Sequence, residues 1–159
     1  AVPLRQELEE KGYHFTTTSD SEVIANLIVS SPGSTIEEKI ASSMKRLQGA
    51  YSLVLLQDNA LLGVRDPMGV RPLCLGRMDN GWVLASETCA LDHIGSTFIR
   101  EVNAGEIVTI DANGPRCVQA IAPATQALCV FEYIYFARPD STIGGRLLYR
   151  AREGTPRNG

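Results

Sequence analysis

The densest cluster of potentially reactive charge is Arg65, Asp66 and Arg71, within Gly63-Val64-Arg65-Asp66-Pro67-Met68-Gly69-Val70-Arg71-Pro72-Leu73. Pro67 and Gly69 suit a sharp turn, so the three charges fall where the chain reverses between two predicted strands. On residue type alone this reads as a solvated turn carrying surface ion pairs, each worth about 0–1 kcal/mol. A nucleophile could come from Cys74, Cys89, Cys117 or Cys129, and an imidazole partner only from His14 or His93. Such pairs form across long separations, but no orienting motif surrounds these residues, and core or surface roles fit them better. The thiols stand 15, 28 and 12 residues apart with no C-x-x-C pair, so most read as free core cysteines. Asp20 opens a predicted helix, where a carboxylate favours the helix dipole by about 0.3–1 kcal/mol.

The elements that must position these residues fall into two kinds. Leu4–Lys11 carries good helix formers with Leu4 and Leu8 on one face, and Gly12 ends it. Ser19 and Glu22 have capping-box spacing, which predicts a helix over Ser19–Ser31 closed by Pro32-Gly33. Ser34 or Thr35 can cap a third helix over Thr35–Arg46, whose apolar residues Ile36, Ile40 and Met44 recur at helical steps. From Tyr51 the pattern changes to short apolar runs: YSLVLLQ and ALLGV around Asp58-Asn59 read as a hairpin of mostly buried strands. PLCLGR, GWVLA, EIVTID and RCVQAI follow as strands, with turns at Asp79-Asn80-Gly81 and Asn113-Gly114-Pro115. Helices followed by consecutive antiparallel strands define an α+β domain.

Composition narrows the function. With 159 residues, 44% hydrophobic and 21% charged, the chain has ordinary globular content for one domain. A net charge of -3 with scattered basic residues excludes the electrostatic footprint of a nucleic-acid binder. No apolar run approaches the length of a membrane span, and AVPLRQELEEKG lacks the pattern of a signal peptide, so a cytoplasmic location is expected.

Arg65-Asp66-Pro67-x-Gly69-x-Arg71-Pro72-Leu73, followed by Ala85-Ser86-Glu87, resembles the class II glutamine amidotransferases, a superfamily that includes asparagine synthetase. Two segments narrow the likeness to the amidophosphoribosyltransferase family: Thr17-Thr18-Ser19-Asp20-Ser21-Glu22, and Phe131-Glu132-Tyr133-Ile134-Tyr135-Phe136-Ala137-Arg138-Pro139-Asp140-Ser141. The second is similar to the stretch that leaves that family's glutaminase domain. The resemblance runs in order from about Leu4 to Ser141. It implies an N-terminal-nucleophile hydrolase fold, with antiparallel sheets sandwiched between helical layers. It also implies a two-part reaction: glutamine is hydrolysed, and the ammonia displaces pyrophosphate from phosphoribosyl pyrophosphate to give phosphoribosylamine, the first committed step of purine synthesis. The family's T-S-D-[ST]-E motif implies that Asp20 binds the α-amino group of glutamine, where a charge-assisted hydrogen bond is short and strong.

The resemblance has gaps as well. The family's nucleophile is an N-terminal cysteine acting with its own α-amine, whereas position 1 here is Ala1. That cysteine, the glutamine-binding arginine and the Asn-Gly oxyanion pair are all expected upstream of this sequence, so no catalytic residue is assigned within it. Cys129 matches the place of one iron-sulfur ligand in members that carry a [4Fe-4S] cluster; the other ligands, any Mg2+ and the phosphoribosyl pyrophosphate site are expected in a missing domain. Residues 1–141 therefore read as a partial glutaminase domain. Residues 142–159 read as the start of a connection, expected to be disordered. The whole protein is expected to be a homo-oligomer. Rival readings are another class II amidotransferase, such as asparagine synthetase or the hexosamine-forming enzyme, and a non-catalytic module that keeps the fold.

Overall fold

The structure, a computed structural model, describes residues 2–125, 127 and 129–152. The chain divides into two compact units, Ala1–Gln48 and Gly49–Gly159.

The first unit is helical: α1 (Val2–Glu10), α2 (Asp20–Ser30) and α3 (Ile36–Met44). Gly12 ends α1 in a Schellman motif. Its φ is +88°, its N–H donates to the Glu9 carbonyl at 2.9 Å, and the Tyr13 N–H donates to the Leu8 carbonyl at 3.0 Å. Leu8, Val23 and Leu27 form the core, with Leu4, Tyr13, Phe15 and Leu47 packed against it. The capping box lies at α3 rather than α2: the Thr35 hydroxyl accepts from the Glu38 N–H, and the Glu38 carboxylate accepts from the Thr35 N–H. At α2, Ser19 caps the Ser21 N–H instead, and Glu22 turns back to the preceding loop. Between α2 and α3, the buried Ser31 hydroxyl donates to the Leu27 carbonyl at 2.7 Å and lies 3.0 Å from the Ser43 oxygen, which satisfies two buried polar groups.

The second unit is built on antiparallel strands: β1 (Ser52–Gln57), β2 (Ala60–Arg65), β3 (Cys74–Met78), β4 (Gly81–Ala85), β5 (Thr97–Glu101), β6 (Glu106–Asp111) and β7 (Gly114–Gln119). They make one sheet in the order β1-β2-β6-β7 and another in the order β4-β3-β5. β2 and β6 are interior strands, and the near-continuous apolar sequence of β2 follows from its place between two neighbours. β1 is an edge strand. Val54 and Leu56 face outward, so the hairpin read as mostly buried is open on that side. Pro115 pairs with Ile110 on β7, an edge strand, where its missing N–H breaks no ladder. The core draws on both sheets: Leu73, Leu75, Val102, Val108 and Ile110, with Leu61, Trp82 and Leu84 against them.

α4 (Thr88–His93) follows β4. Beyond β7 the chain forms a single π-helical turn (Glu132–Phe136), a two-residue hairpin of β8 (Thr142–Ile143) and β9 (Arg146–Leu147), and α5 (Leu148–Arg152). Residues 142–152, read from the sequence as the start of a connection, form these short elements. Ile143 and Leu148 bury themselves with Ala137, and the N–H groups of Leu148 and Tyr149 donate to the Ser141 and Pro139 carbonyls at 3.0 and 2.8 Å. The rest of that call, residues 153–159, lies outside the described residues.

Candidate functional site

In the helical unit, Asp20 is the first residue of α2 and its side chain is exposed. Among the described residues its carboxylate makes no hydrogen bond or ion pair, so it is available to a ligand. The loop before it is held firmly. The Glu22 carboxylate accepts from the N–H groups of Thr16 and Thr17, each at 2.8 Å, and from their hydroxyls at 3.0 and 2.6 Å. The Arg5 guanidinium donates to the Thr17 carbonyl at 2.7 Å and lies 4.6 Å from the Phe15 ring centroid. These bonds, the Thr16 N–H foremost, hold the Glu22 carboxyl down at about 2. The motif's glutamate thus fixes the backbone that presents its aspartate, a division of work that spacing alone did not reveal.

In the second unit, the Arg65–Arg71 turn is the opposite of the solvated turn read from charge. Asp66 is fully buried and Arg65 is 3% exposed. Asp66 accepts from the N–H groups of Met68 and Val70 at 2.9 and 3.2 Å, which closes the turn. Arg65 donates to the carbonyls of Arg71, Gly69 and Val102 at 2.9, 3.0 and 2.6 Å and to Glu101 at 3.2 Å. One guanidinium, with five donors in a plane, ties the turn to the strand end at Glu101–Val102.

The three motif segments of this unit meet. Arg71, at the end of the turn, pairs with the buried Glu132 at 2.7 Å and lies 5.2 Å from the Phe136 ring centroid. Glu87, from Ala85-Ser86-Glu87, accepts from the Arg138 N–H and the Ser141 hydroxyl, each at 2.8 Å, and the Thr88 hydroxyl accepts from the Thr142 N–H at 2.9 Å. Tyr51, Arg71, Ser86, Glu87, Glu132 and Phe136 line a cleft of about 420 Å³. The Tyr51 hydroxyl is buried without a hydrogen-bond partner among the described residues. Burial, then the Asp66 carboxylate, push its pKa up to about 12, so it stays neutral.

No thiol is set up as a nucleophile among the described residues. Burial pushes Cys74 up to about 12, and burial also raises Cys89 and Cys117. His14 and His93 are exposed, and neither is hydrogen-bonded to a cysteine. Cys129 is half-buried and lies just before the π-turn, where its carbonyl accepts from the Glu132 N–H at 3.0 Å. A [4Fe-4S] cluster needs four thiolates. Among the described residues no group of three or more His, Cys, Asp or Glu side chains is placed to hold a metal. None of the described helices is long and apolar enough to cross a membrane.

Two antiparallel sheets with this motif set define a class, and comparison with known proteins agrees. The family model described as a glutamine amidotransferase domain matches residues 1–93, and the chain belongs to that family. Within it, the chain is similar to amidophosphoribosyltransferases. It is 44% identical to that of Staphylococcus epidermidis over 98% of its own length and 32% of the relative's. It is 45% identical to that of Archaeoglobus fulgidus over 94% of this chain and 33% of the relative. The solved glutamine phosphoribosylpyrophosphate amidotransferase from B. subtilis, complexed with ADP and GMP, superposes with a TM-score of 0.92 at 40% identity, covering 96% of this chain and 33% of that one. The fold is accordingly of the N-terminal-nucleophile hydrolase type, α+β with antiparallel sheets. The chain spans about a third of the length of the curated relatives it matches.

Proposed function

We propose that the chain is part of the glutaminase half of an enzyme that makes 5-phosphoribosylamine from phosphoribosyl pyrophosphate and glutamine. The observation that carries this is the 44% identity to an amidophosphoribosyltransferase across nearly the whole chain. In the reaction, glutamine and water give glutamate and ammonia. The ammonia lone pair then forms a bond to C1 of the ribose as the C1–O bond to pyrophosphate breaks, and the surplus proton leaves to solvent. The attacking thiolate and the oxyanion donors belong to the full-length protein outside this chain, as does the phosphoribosyl pyrophosphate site with its Mg2+. The role of Asp20 is to receive the α-ammonium of glutamine: its carboxylate is exposed, unpaired among the described residues, and carried on the loop that Glu22 holds. If the full-length protein carries an iron-sulfur cluster, Cys129 is the ligand from this chain, and Cys129→Ser abolishes the visible absorbance of the cluster. We assign the protein to the cytoplasm, as a homo-oligomer.

The test is Asp20→Ala in the full-length protein. The KM for glutamine should rise by about ten- to a hundredfold, the scale of losing a hydrogen bond between charged groups. Synthesis from ammonium salts should persist, because ammonia bypasses the glutamine pocket. Parallel loss of both activities would show that Asp20 supports the fold rather than the substrate.

A further inference from the structure

We propose that Arg77 and the indole N–H of Trp82 form a binding site for a small oxyanion, the phosphate or carboxylate group of a metabolite, at the open end of the two sheets. Side chains alternate along a strand, so Arg77 shares a face of β3 with Leu75, and Trp82 shares a face of β4 with Leu84. Leu75, Leu84 and Trp82 pack in the inter-sheet core, which puts Arg77 on the core-facing side as well. The register sets Trp82 and Thr97 directly opposite Arg77 on its two neighbouring strands. The apolar face thus ends in a row of Trp82, Arg77 and Thr97, beside the turns at Asp79-Asn80 and Ala112-Asn113.

An arginine in that place calls for an anion. On the two sheets Arg65, Arg100 and Arg116 each pair with a carboxylate, whereas Arg77 has only a ring. Its guanidinium lies 4.7 Å from the Trp82 ring centroid and makes no hydrogen bond or ion pair among the described residues. Stacking holds the guanidinium in place and leaves free the N–H edge that takes a carboxylate or phosphate by two bonds at once. The Trp82 indole N–H can only donate, and it too has no acceptor among the described residues. Its nitrogen is 3.9 Å from where a Cβ on Gly114 would stand, on the side of the β6–β7 turn. Two clefts of about 410 and 550 Å³ meet at this pair, both lined by Arg77, Asn80 and Trp82, and their size suits a small metabolite. Two carboxylates also line them. Asp111 has both oxygens occupied, by the Asn113 N–H at 2.7 Å and by Arg116 at 2.9 Å. Asp79 is exposed, makes no ion pair with Arg77, and is screened by water and salt. What the two donors lack is an acceptor, and an oxyanion supplies it.

The experiment uses the full-length protein labelled with fluorotryptophan, the Trp82 resonance being assigned by its absence from Trp82→Phe. Inorganic phosphate, glycerol 3-phosphate and acetate are titrated separately at constant ionic strength, and the fluorine NMR shift of Trp82 is followed. The resonance should move and saturate with a Kd of about 1 mM, the strength of two hydrogen bonds to a charged group. A response to the two phosphates alone identifies a phosphate site, to acetate alone a carboxylate site, and to all three a site for either oxyanion. Arg77→Gln should weaken binding about tenfold or more. Thr97→Glu sets a carboxylate directly opposite Arg77 on the edge strand β5 and should weaken binding as much while the guanidinium stays, so it tests the site even where loss of Arg77 harms the fold. No saturating shift with any of the three anions overturns the proposal, and so does a shift whose midpoint is unchanged in Arg77→Gln or in Thr97→Glu.

Discussion

Charged residues in this chain do their work by where they are buried, and Arg65 is the clearest instance. Its five donors face three carbonyls and a carboxylate, so truncation leaves several buried acceptors unpaired at once. Arg65→Ala should cost about 3–5 kcal/mol, and Arg65→Lys should regain little, because a compact ammonium cannot span the same acceptors. Urea denaturation of the chain checks this; equal stability of wild type and Arg65→Lys would mean that charge alone suffices. Glu22 gives a pH-dependent counterpart. Its folded carboxyl titrates at about 2 against an ordinary 4.5, so the stability it supplies is present above pH 4.5 and is lost as pH falls through about 2. Glu22→Gln should flatten the acid limb of stability in that window, followed by circular dichroism at fixed denaturant; an unaltered limb would show that the loop does not depend on the carboxylate. The start of α2 at Asp20 was legible because its setting is local, a helix start within a short motif. Arg65 was not, because one of its partners, Glu101, stands 36 positions away and residue type alone favours water.

At the scale of elements, the three helices were legible because their caps and apolar spacing lie within a few residues of one another. β6 was read at its observed bounds, Glu106–Asp111. β5 was missed: Thr97-Phe98-Ile99-Arg100-Glu101 is an edge strand with Phe98 and Ile99 exposed, so no inward-facing alternation marks it, and its register against β3 shifts at Leu75/Gly76. The connection from β5 to β6 depends on Gly105. At φ +74°, its N–H donates to the carbonyls of Arg65 and Asp66, while a Cβ there would sit 2.3 Å from the Ile121 carbonyl oxygen. Gly105→Ala should cost about 1–2 kcal/mol for the left-handed backbone and about 1–3 kcal/mol more for the clash. Gly12→Ala is the control, with φ +88° and nothing within 4 Å of the added carbon. Equal destabilisation of the two in a thermal melt would show that the close approach at Gly105 is relieved at no cost.

For the molecule as a whole, the sheet order was beyond the sequence. β2 and β6 are neighbours in space but four strands apart in order, and nothing local encodes such a pairing. That order also decides which surfaces are open. β1 and β7 are the edges of the four-stranded sheet, and β1 presents Val54 and Leu56, the latter 80% exposed. An unpaired edge with apolar side chains is a template for pairing with another chain. The π-turn adds a second apolar surface in Phe131, Ile134 and Tyr135. A net charge of -3 opposes association only weakly at physiological salt, where charges more than about 8 Å apart are largely screened. The 159-residue chain should therefore self-associate reversibly at micromolar concentration. Val54→Lys with Leu56→Lys should shift it toward monomer with little loss of stability, because both side chains face away from the core and lysine on an edge strand blocks pairing. Light scattering across a dilution series distinguishes the two routes. A return to monomer in the double lysine variant assigns association to the β1 edge. Association unchanged in that variant but removed by Ile134→Lys with Tyr135→Lys would assign it to the π-turn and overturn the edge as its cause.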